Sequence, residues 1–192
     1  MKRSLTLAIP FALVFAVLPA SPAAAQKWYE KAVKKVEGKF SPAEAKPGQT
    51  VTFTLTIELN DGFHTYPTVQ LDKQAAGMVN DIRFPDAGPV IFVGKTEDPK
   101  DAKTKAEPDL GILEMSYCTG TVTYTRKAVI SPKAAAGAAT VKLAKFSLSV
   151  CDKDNCFPPK TIPIEAMIKV LDGAAVEVEK AYADEVRKAL GK

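Results

Sequence analysis

Alternation of apolar and polar residues along much of the chain predicts short β-strands. The clearest case is the segment 51–59, VTFTLTIEL, which places five apolar side chains on one face and three threonines and a glutamate on the other. A period of two residues is typical of a strand with one buried and one solvated face. Weaker alternation or strand-forming composition predicts further strands at 33–40, 90–93, 114–130, 141–150 and 162–170.

The segment 141–150 changes phase part-way along. Its apolar residues lie on odd positions at Val141 and Leu143, and then on even positions from Phe146 onward. An extra residue in one strand produces such a shift, so we expect a β-bulge near Ala144 and Lys145.

Segments with no sustained period separate these strands. Residues 72–108 are rich in Pro, Gly, Asp and Lys, and apart from 90–93 they are expected to form loops. The small residues from 131 to 140 predict a connecting turn.

Only the C-terminal segment has helical spacing. Val178, Tyr182, Val186 and Ala189 recur at intervals of three or four residues, and Gly191 is a typical helix stop. Many short strands followed by one terminal helix predict an all-β protein, an antiparallel β-sandwich with a short C-terminal helix.

The first 25 residues have the pattern of an export signal. Lys2 and Arg3 precede an apolar run, and small residues end the segment at Ala25. We therefore expect a signal peptide at 1–25, a sandwich domain at 26–172 and an amphipathic helix at 173–192. The mature protein is expected to be periplasmic or secreted. No second apolar run reaches the roughly 18 residues of a membrane span, so the mature chain is not expected to cross a membrane.

The charge balance argues against a nucleic-acid partner. The chain has 26 Lys and Arg residues and 22 Asp and Glu residues, and two of the basic ones lie in the predicted signal peptide. Basic and acidic residues also alternate, as they do from Lys95 to Lys105. Such a surface is solvated and does not form a basic stripe for a polyanion.

Three cysteines, Cys118, Cys151 and Cys156, occur in a chain expected to reach an oxidising compartment. If the strands 146–150 and 162–170 are antiparallel neighbours, Cys151 and Cys156 flank a four-residue loop, and that geometry permits a disulfide. Cys118 is then left over, and we expect it to be a buried free thiol.

The residues leave the purpose of the pair open. A structural disulfide closing so short a loop stabilises by only about 2 kcal/mol, because the entropy removed grows with loop length. A zinc site normally needs four ligands, so two cysteines and one histidine make a poor zinc site. Copper could instead be bound by Cys151, Cys156 and His64. A C-x-x-C motif at the start of a helix lowers the thiol pKa, but the spacing here is C-x4-C. A redox pair with this spacing suits a relay that is activated by a docking partner.

The stretch VCDKDNCFPPKTIPIE at 150–165 resembles the amino-terminal periplasmic domain of the thiol:disulfide interchange protein DsbD. KPGQTVTFTLTIELNDGFHTYP at 46–67 and YCTGTVTYTRKAVI at 117–130 resemble the same domain, in the same order. Together the three stretches suggest a stand-alone secreted form of that domain, covering most of 46–170.

The resemblance implies an immunoglobulin-like sandwich that acts as a thiol:disulfide oxidoreductase component. Its disulfide would accept electrons from a thioredoxin-like reductant or a membrane electron-transfer protein, and would reduce oxidised periplasmic proteins. By position, Cys156 would form mixed disulfides and Cys151 would resolve them. His64 and Tyr66 would shape the pocket. No cofactor or metal is implied.

Three features depart from the family pattern. The segment 108–113, which matches a loop that covers the disulfide, has no aromatic residue, and Leu110 is the candidate substitute. Relatives also carry a multi-span membrane region and a thioredoxin-like domain, so we expect the reductant to be a separate protein. Cys118 is the third departure, because the family pattern has no catalytic cysteine at that position.

Two alternative functions remain. One is a non-enzymatic immunoglobulin-like binding module with a structural disulfide, and the other is a copper-binding protein.

Overall fold

The computed structural model describes residues 23–191, so most of the predicted signal peptide lies outside the described residues. The first described element is helix α1 (Ala23–Ala32), which the sequence pattern did not predict. Trp28 and Ala32, four residues apart on one face of this helix, are both buried. The indole of Trp28 stacks on the ring of Phe157, with the ring centroids 5.4 Å apart. Helix α1 therefore packs against the segment that follows Cys156.

Strands dominate the rest of the described chain. In order they are β1 (Val33–Ser41), β2 (Glu44–Ala45), β3 (Thr50–Leu59), β4 (His64–Thr65), β5 (Asp81–Arg83), β6 (Val90–Glu97), β7 (Lys103–Glu107), β8 (Ile112–Thr119), β9 (Thr121–Ile130), β10 (Gly137–Lys142), β11 (Lys145–Leu148), β12 (Val150–Cys151), β13 (Lys160–Thr161) and β14 (Glu165–Val170). Short 3-10 helices occur at Lys73–Ala75 and Pro108–Leu110.

These strands form four sheets within residues 23–191. The orders are β1-β3-β9-β6, β10-β14-β2, β13-β11-β5 and β12-β4-β8-β7. Every pairing is antiparallel except that of β14 with β2. Strand β3 alternates buried and partly exposed residues along its whole length, as the sequence predicted.

A continuous core lies between the layers. The buried face of β3 meets apolar residues of β10, β11 and β14 in one cluster, which also includes Phe40 and Tyr124. The protein is thus an all-β immunoglobulin-like antiparallel β-sandwich with a short C-terminal helix. The predicted fold class is confirmed.

The expectation that 72–108 forms loops was wrong for much of the segment. It contains β5, the full eight residues of β6, and β7. Strand β7 (KTKAE) has no buried residue on either face, so it carries no apolar alternation, and its pairing with β8 alone makes it a strand. Lysine-rich edge strands of this kind are common because they discourage pairing with other chains.

The strand expected at 114–130 is two strands in different sheets, β8 and β9, joined at Gly120 with a φ of 68°. The segment 141–150 is likewise divided among β10, β11 and β12. The phase change near Ala144 is therefore a move from one sheet to another rather than a bulge, and Leu143 at this point donates its N–H to the carbonyl of Ile164. The expected turn at 131–140 ends earlier, because β10 begins at Gly137.

The neighbour expected for the strand before Cys151 was also wrong. Strand β14 pairs with β10. Strand β11 pairs instead with β13 and β5. The chain after Cys156 thus makes only a two-residue pairing with β11 before it crosses to another sheet.

The predicted C-terminal helix is present as α2 (Ala183–Ala189), but it is much shorter than the predicted range of 173–192, because residues 174–179 are not helical. Its buried residue Val186 packs on Ile91 and Val93 of β6 and Val129 of β9. No helix within residues 23–191 has the length and apolar character needed to cross a bilayer.

Candidate functional site

Cys151 and Cys156 form a disulfide at the two ends of a tight turn, with Cα atoms 4.0 Å apart. Asp152 closes the turn from within. Its N–H donates to the carbonyl of Asn155 at 2.9 Å, and its carboxylate accepts the N–H groups of Asp154 and Asn155 at 2.9 and 2.7 Å. These backbone donors lower the pKa of the Asp152 carboxyl. The acidic loop therefore forms an ordered turn, as the sequence predicted for its length.

Strand β12 joins this turn to β4. Cys151 lies opposite His64 and Val150 lies opposite Thr65. The segment GFHTYP, more than eighty residues earlier in the chain, thereby lies directly beside the disulfide. Two of the residues predicted to shape the pocket, His64 and Tyr66, are in this segment.

The two cysteine residues differ sharply in exposure. Cys151 is 3% exposed and belongs to a small apolar cluster with Tyr66, Ile112 and Met115. Cys156 is exposed to solvent. Cys156 is therefore the more accessible of the two cysteines to a protein partner.

The hydroxyl of Tyr66 points at the buried sulfur. Tyr66 Oη lies 2.9 Å from Cys151 Sγ and 3.6 Å from Cys156 Sγ. A disulfide sulfur has no hydrogen, so the hydroxyl is the donor. Burial raises the pKa of Tyr66 to about 12, so its proton is retained throughout the physiological range.

His64 completes this group of polar side chains. Its Nε2 lies 3.4 Å from Tyr66 Oη, and its ring packs edge-on against the rings of Tyr66 and Tyr117. Burial lowers the pKa of His64, and the positive charge of Lys105 acts in the same direction. The imidazole is therefore neutral near pH 7, and because the Tyr66 proton is directed at Cys151, His64 Nε2 can take part in this contact only as the donor.

A second layer of buried polar groups holds Tyr66 in place. Asn80 is 1% exposed, and its Nδ2 lies 2.8 Å from the carbonyl of Tyr66 and 2.7 Å from Tyr124 Oη. Tyr124 Oη also donates to the Tyr66 carbonyl. The Asn80 amide oxygen accepts the N–H of Ser149 at 2.8 Å, which ties this network to the segment entering β12.

Asn80 and Tyr124 were not predicted from the sequence as supports of the site. Asn80 lies in the segment that was expected to form loops, and a single asparagine has no periodic signal. Tyr124 was assigned to a strand correctly, but nothing local shows that its hydroxyl reaches β4. The loop-forming composition of the segment 72–108 did not indicate that the Asn80 side chain is buried.

Leu110, the candidate cover for the disulfide, ends the 3-10 helix Pro108–Leu110 and is 59% exposed. It contributes to the wall of a cavity of about 160 Å³ above the disulfide. The other lining residues are His64, Tyr66, Met78, Lys105, Glu107, Met115, Cys151, Asp152, Lys153, Asp154, Asn155 and Cys156. The structure thus brings all five residues predicted for the site, namely the two cysteines, His64, Tyr66 and Leu110, to one cavity.

Cys118 is a free, buried thiol, which confirms the expectation for this residue. It is 2% exposed and lies opposite Thr65 in the pairing of β4 with β8. Burial raises the pKa of its thiol to about 11. The side chain belongs to the main core and not to the cluster around Cys151.

No family model and no curated protein matches the sequence. Two similar solved structures are cohesins or contain one. A chain from the Coh-OlpA–Doc918 type I cohesin–dockerin complex of Clostridium thermocellum is 13% identical with a TM-score of 0.37, and the match covers 72% of this chain and 100% of that one. The seventh ScaB type I cohesin of Pseudobacteroides cellulosolvens is 13% identical with a TM-score of 0.35, covering 75% and 97%. Similarity at this level carries no information about function.

Proposed function

We propose that the protein is a periplasmic thiol:disulfide exchange relay. It accepts electrons from a thioredoxin-like protein, or from a membrane electron-transfer protein, and reduces disulfides of other extracytoplasmic proteins. The resemblance of the cysteine segment to the amino-terminal domain of DsbD suggests this function. The geometry around the disulfide supports it independently of that resemblance.

The observation that carries the proposal is the difference in exposure between the two cysteine residues. Cys156 is open to solvent, whereas Cys151 is buried and accepts a hydrogen bond from Tyr66. In thiol–disulfide exchange one sulfur is attacked and the other leaves as a thiolate. An accessible sulfur paired with a leaving sulfur that faces a hydrogen-bond donor suits that reaction.

The reduction proceeds in two displacements. A thiolate of the reductant attacks Cys156 Sγ, the bond between Cys151 and Cys156 breaks, and Cys151 leaves with the electron pair as a thiolate. The second thiol of the reductant, after losing its proton, attacks the reductant sulfur in the mixed disulfide and releases Cys156 as a thiolate. The reductant is oxidised to a disulfide, and the two cysteines take up protons from solution.

The reduced pair then acts on an oxidised protein by the reverse sequence. The Cys156 thiolate attacks the target disulfide and forms a mixed disulfide, and Cys151 attacks Cys156 Sγ to release the reduced target. Tyr66 donates to Cys151 in either direction, and the turn made by Asp152 keeps the two sulfurs close. Neither direction needs a cofactor, because the electron pair passes only between sulfur atoms.

A redox titration tests the proposal. The mature protein is equilibrated in buffers of defined dithiol and disulfide ratio, acid-quenched and alkylated, and the reduced fraction is measured by mass spectrometry. We expect a midpoint above about −300 mV, since structural disulfides usually lie below that value. A lower midpoint, with the folded domain resisting reduced thioredoxin, contradicts the relay and supports a binding module with a structural disulfide.

Trapping tests the roles of the two cysteines. In a Cys118→Ala background, the Cys151→Ala variant should displace a chromophoric leaving thiol from a thioredoxin-fold protein that keeps only its attacking cysteine, and should form a stable adduct through Cys156. The Cys156→Ala variant is the matched control, and its buried Cys151 should react far more slowly. Equal adduct formation by both variants contradicts the assignment.

A further inference from the structure

Four exposed large apolar side chains within residues 23–191 lie on two neighbouring segments, one of which contains Leu110 from the wall of the disulfide cavity. Val69, Leu71, Leu110 and Leu113 are 65%, 85%, 59% and 86% exposed. They lie on two segments, 69–71 and 110–113, that are about forty residues apart in the chain. We call these four residues the leucine patch.

Side-chain hydrogen bonds hold the two segments together. Asp72 Oδ2 accepts the N–H of Leu113 at 2.9 Å and that of Glu114 at 3.3 Å. Its other oxygen, Oδ1, accepts the N–H of Gln74, which caps the 3-10 helix that follows. These backbone donors lower the pKa of the Asp72 carboxyl, so the carboxylate that accepts them remains ionised.

Gln70 makes a second link between the segments. It is 9% exposed, its Oε1 accepts the N–H of Ser116 at 2.9 Å, and its Nε2 donates to the carbonyls of Ser116 and Met78 at 2.8 Å. The side chain of Gln70 thus satisfies both backbone groups of Ser116 on an edge of β8. With its two segments joined by exposed and partly buried polar contacts, the leucine patch is held in place before any partner arrives.

The leucine patch is continuous with the site of exchange. Leu110 belongs to the patch and also lines the cavity that contains Cys151 and Cys156. A protein that brings a sulfur atom into contact with Cys156 Sγ must cover the rim of this cavity, and therefore Leu110. Apolar surface of this kind, next to a reactive group, is typical of an interaction site.

The charges around the cavity indicate how the partner is held. Lys105 and Lys153 are offset by Glu107, Asp152 and Asp154 among the lining residues. Lys105 is already paired with Glu107 at 2.6 Å. The rim therefore carries charges of both signs, so electrostatic attraction contributes little to binding of the partner.

We infer that the leucine patch is the docking surface for the apolar face that surrounds the exposed cysteine of the thioredoxin-like reductant. The inference rests on the proposed function, and it adds the surface by which this relay recognises its electron donor. Burial of Leu71 and Leu113 against the partner supplies affinity, and Leu110 positions the partner's sulfur over Cys156.

The test separates docking from chemistry by comparing a protein reductant with a small one. The double variant Leu71→Ser/Leu113→Ser removes two side chains that do not line the cavity. The rate of reduction of the disulfide is measured with reduced thioredoxin and, in parallel, with dithiothreitol. Met167→Ser is the control, because Met167 is 74% exposed and lies on β14, in a different sheet from the site.

We expect the double variant to be reduced by thioredoxin at least about tenfold more slowly than the unaltered protein, with an unchanged rate for dithiothreitol. Met167→Ser should match the unaltered protein in both assays. The rate with thioredoxin should change less than about twofold when salt is raised, because the contact is apolar.

Four results overturn the inference. Equal thioredoxin rates for the double variant and the unaltered protein show that the patch is not used, while leaving the proposed function intact. A parallel loss with dithiothreitol shows a general effect on the disulfide. Sedimentation of the unaltered protein as a dimer that the double variant abolishes assigns the patch to self-association. If the unaltered protein exchanges with neither reductant, the proposed function itself fails and the docking surface fails with it.

Discussion

Tyr66 is the single side chain that most directly links this structure to exchange chemistry. Its hydroxyl donates to the sulfur that would leave as a thiolate, and it remains protonated because burial raises its pKa to about 12. A hydrogen bond to a charged group contributes about 1.5–3 kcal/mol, and part of that charge has developed in the transition state. Tyr66→Phe should therefore be reduced by dithiothreitol about tenfold more slowly, as measured by timed alkylation.

Tyr117→Phe is the matched control for that experiment. Tyr117 packs on the other side of His64, and no hydrogen bond joins its hydroxyl to either cysteine in the described part of the chain. Its rate should equal that of the unaltered protein. A Tyr66→Phe variant with the same rate would show that the hydroxyl only fills space.

His64 should make stability depend on pH. Its pKa is lowered in the folded protein, mainly by burial, while a histidine in the unfolded chain titrates near about 6.5. Below that pH the unfolded chain binds more protons than the folded one, so the contribution of His64 is complete above about pH 6.5 and is lost as pH falls. We expect the free energy of unfolding to decrease from about pH 7 to about pH 5.

Urea denaturation at a series of pH values measures this slope. His64→Gln should flatten it in that window. Asp72 and Asp81 have lowered pKa values, but their contributions are lost only nearer to pH 4 and below, where the unfolded carboxyls titrate. An identical slope in the variant would assign the pH dependence to other groups.

At the scale of elements, the two turns that flank β3 have the same backbone requirement in different surroundings. Gly48 and Gly62 both have a φ of 84°, a left-handed conformation that a β-carbon makes costly. A β-carbon on Gly48 would lie 2.0 Å from the carbonyl oxygen of Val176, whereas one on Gly62 would have nothing within 4 Å. The C-terminal segment is held at this place by the N–H of Val176, which donates to the carbonyl of Pro47.

Alanine substitutions at these glycines should therefore differ in cost. Gly62→Ala should lower the free energy of unfolding by about 1 kcal/mol, the cost of left-handed backbone alone. Gly48→Ala adds a backbone clash and should cost at least about 3 kcal/mol. Urea denaturation of the pair gives the comparison, and equal losses would show that the segment at Val176 moves away freely.

At the scale of the whole molecule, helix α2 and the disulfide site are energetically separate. Val186 packs on Ile91, Val93 and Val129, whereas Cys151 belongs to another cluster. Val186→Ala should lower the free energy of unfolding by about 2 kcal/mol through lost apolar burial. The rate of disulfide reduction by thioredoxin should not change. Glu177→Ala, an exposed position before the helix, is the control and should alter neither quantity.

A slower exchange in Val186→Ala would contradict this separation. The helix has further attachments: Glu185 accepts the N–H of Gly94 at 3.0 Å, and Tyr182 and Leu190 pack against the same cluster as Val186. In Val186→Ala, α2 should therefore stay in contact with the sandwich. The loss in the free energy of unfolding should be that of a cavity left by one truncated side chain.

Elements whose sequence signal is local were predicted correctly, and elements without a local signal were not. The strand around Leu55 was found because its alternation is complete within ten residues, and α2 was found because its apolar residues recur at helical spacing. Strand β7 was missed because its residues face solvent on both sides. The two-residue strands β4 and β12 are too short to show any period, yet they place His64 beside Cys151.

The sequence by itself determined that Cys151 and Cys156 are the candidate pair, since two cysteines separated by four residues can form a disulfide, but it left the purpose of that pair open. It also determined the class of the fold, because alternation and turn residues are local properties. Only the tertiary structure decided which sulfur is exposed, which strands are neighbours, and that the Tyr66 hydroxyl meets a sulfur 85 positions away. Those facts depend on the packing of segments distant in the chain, and no local pattern of residues records which distant segments will meet.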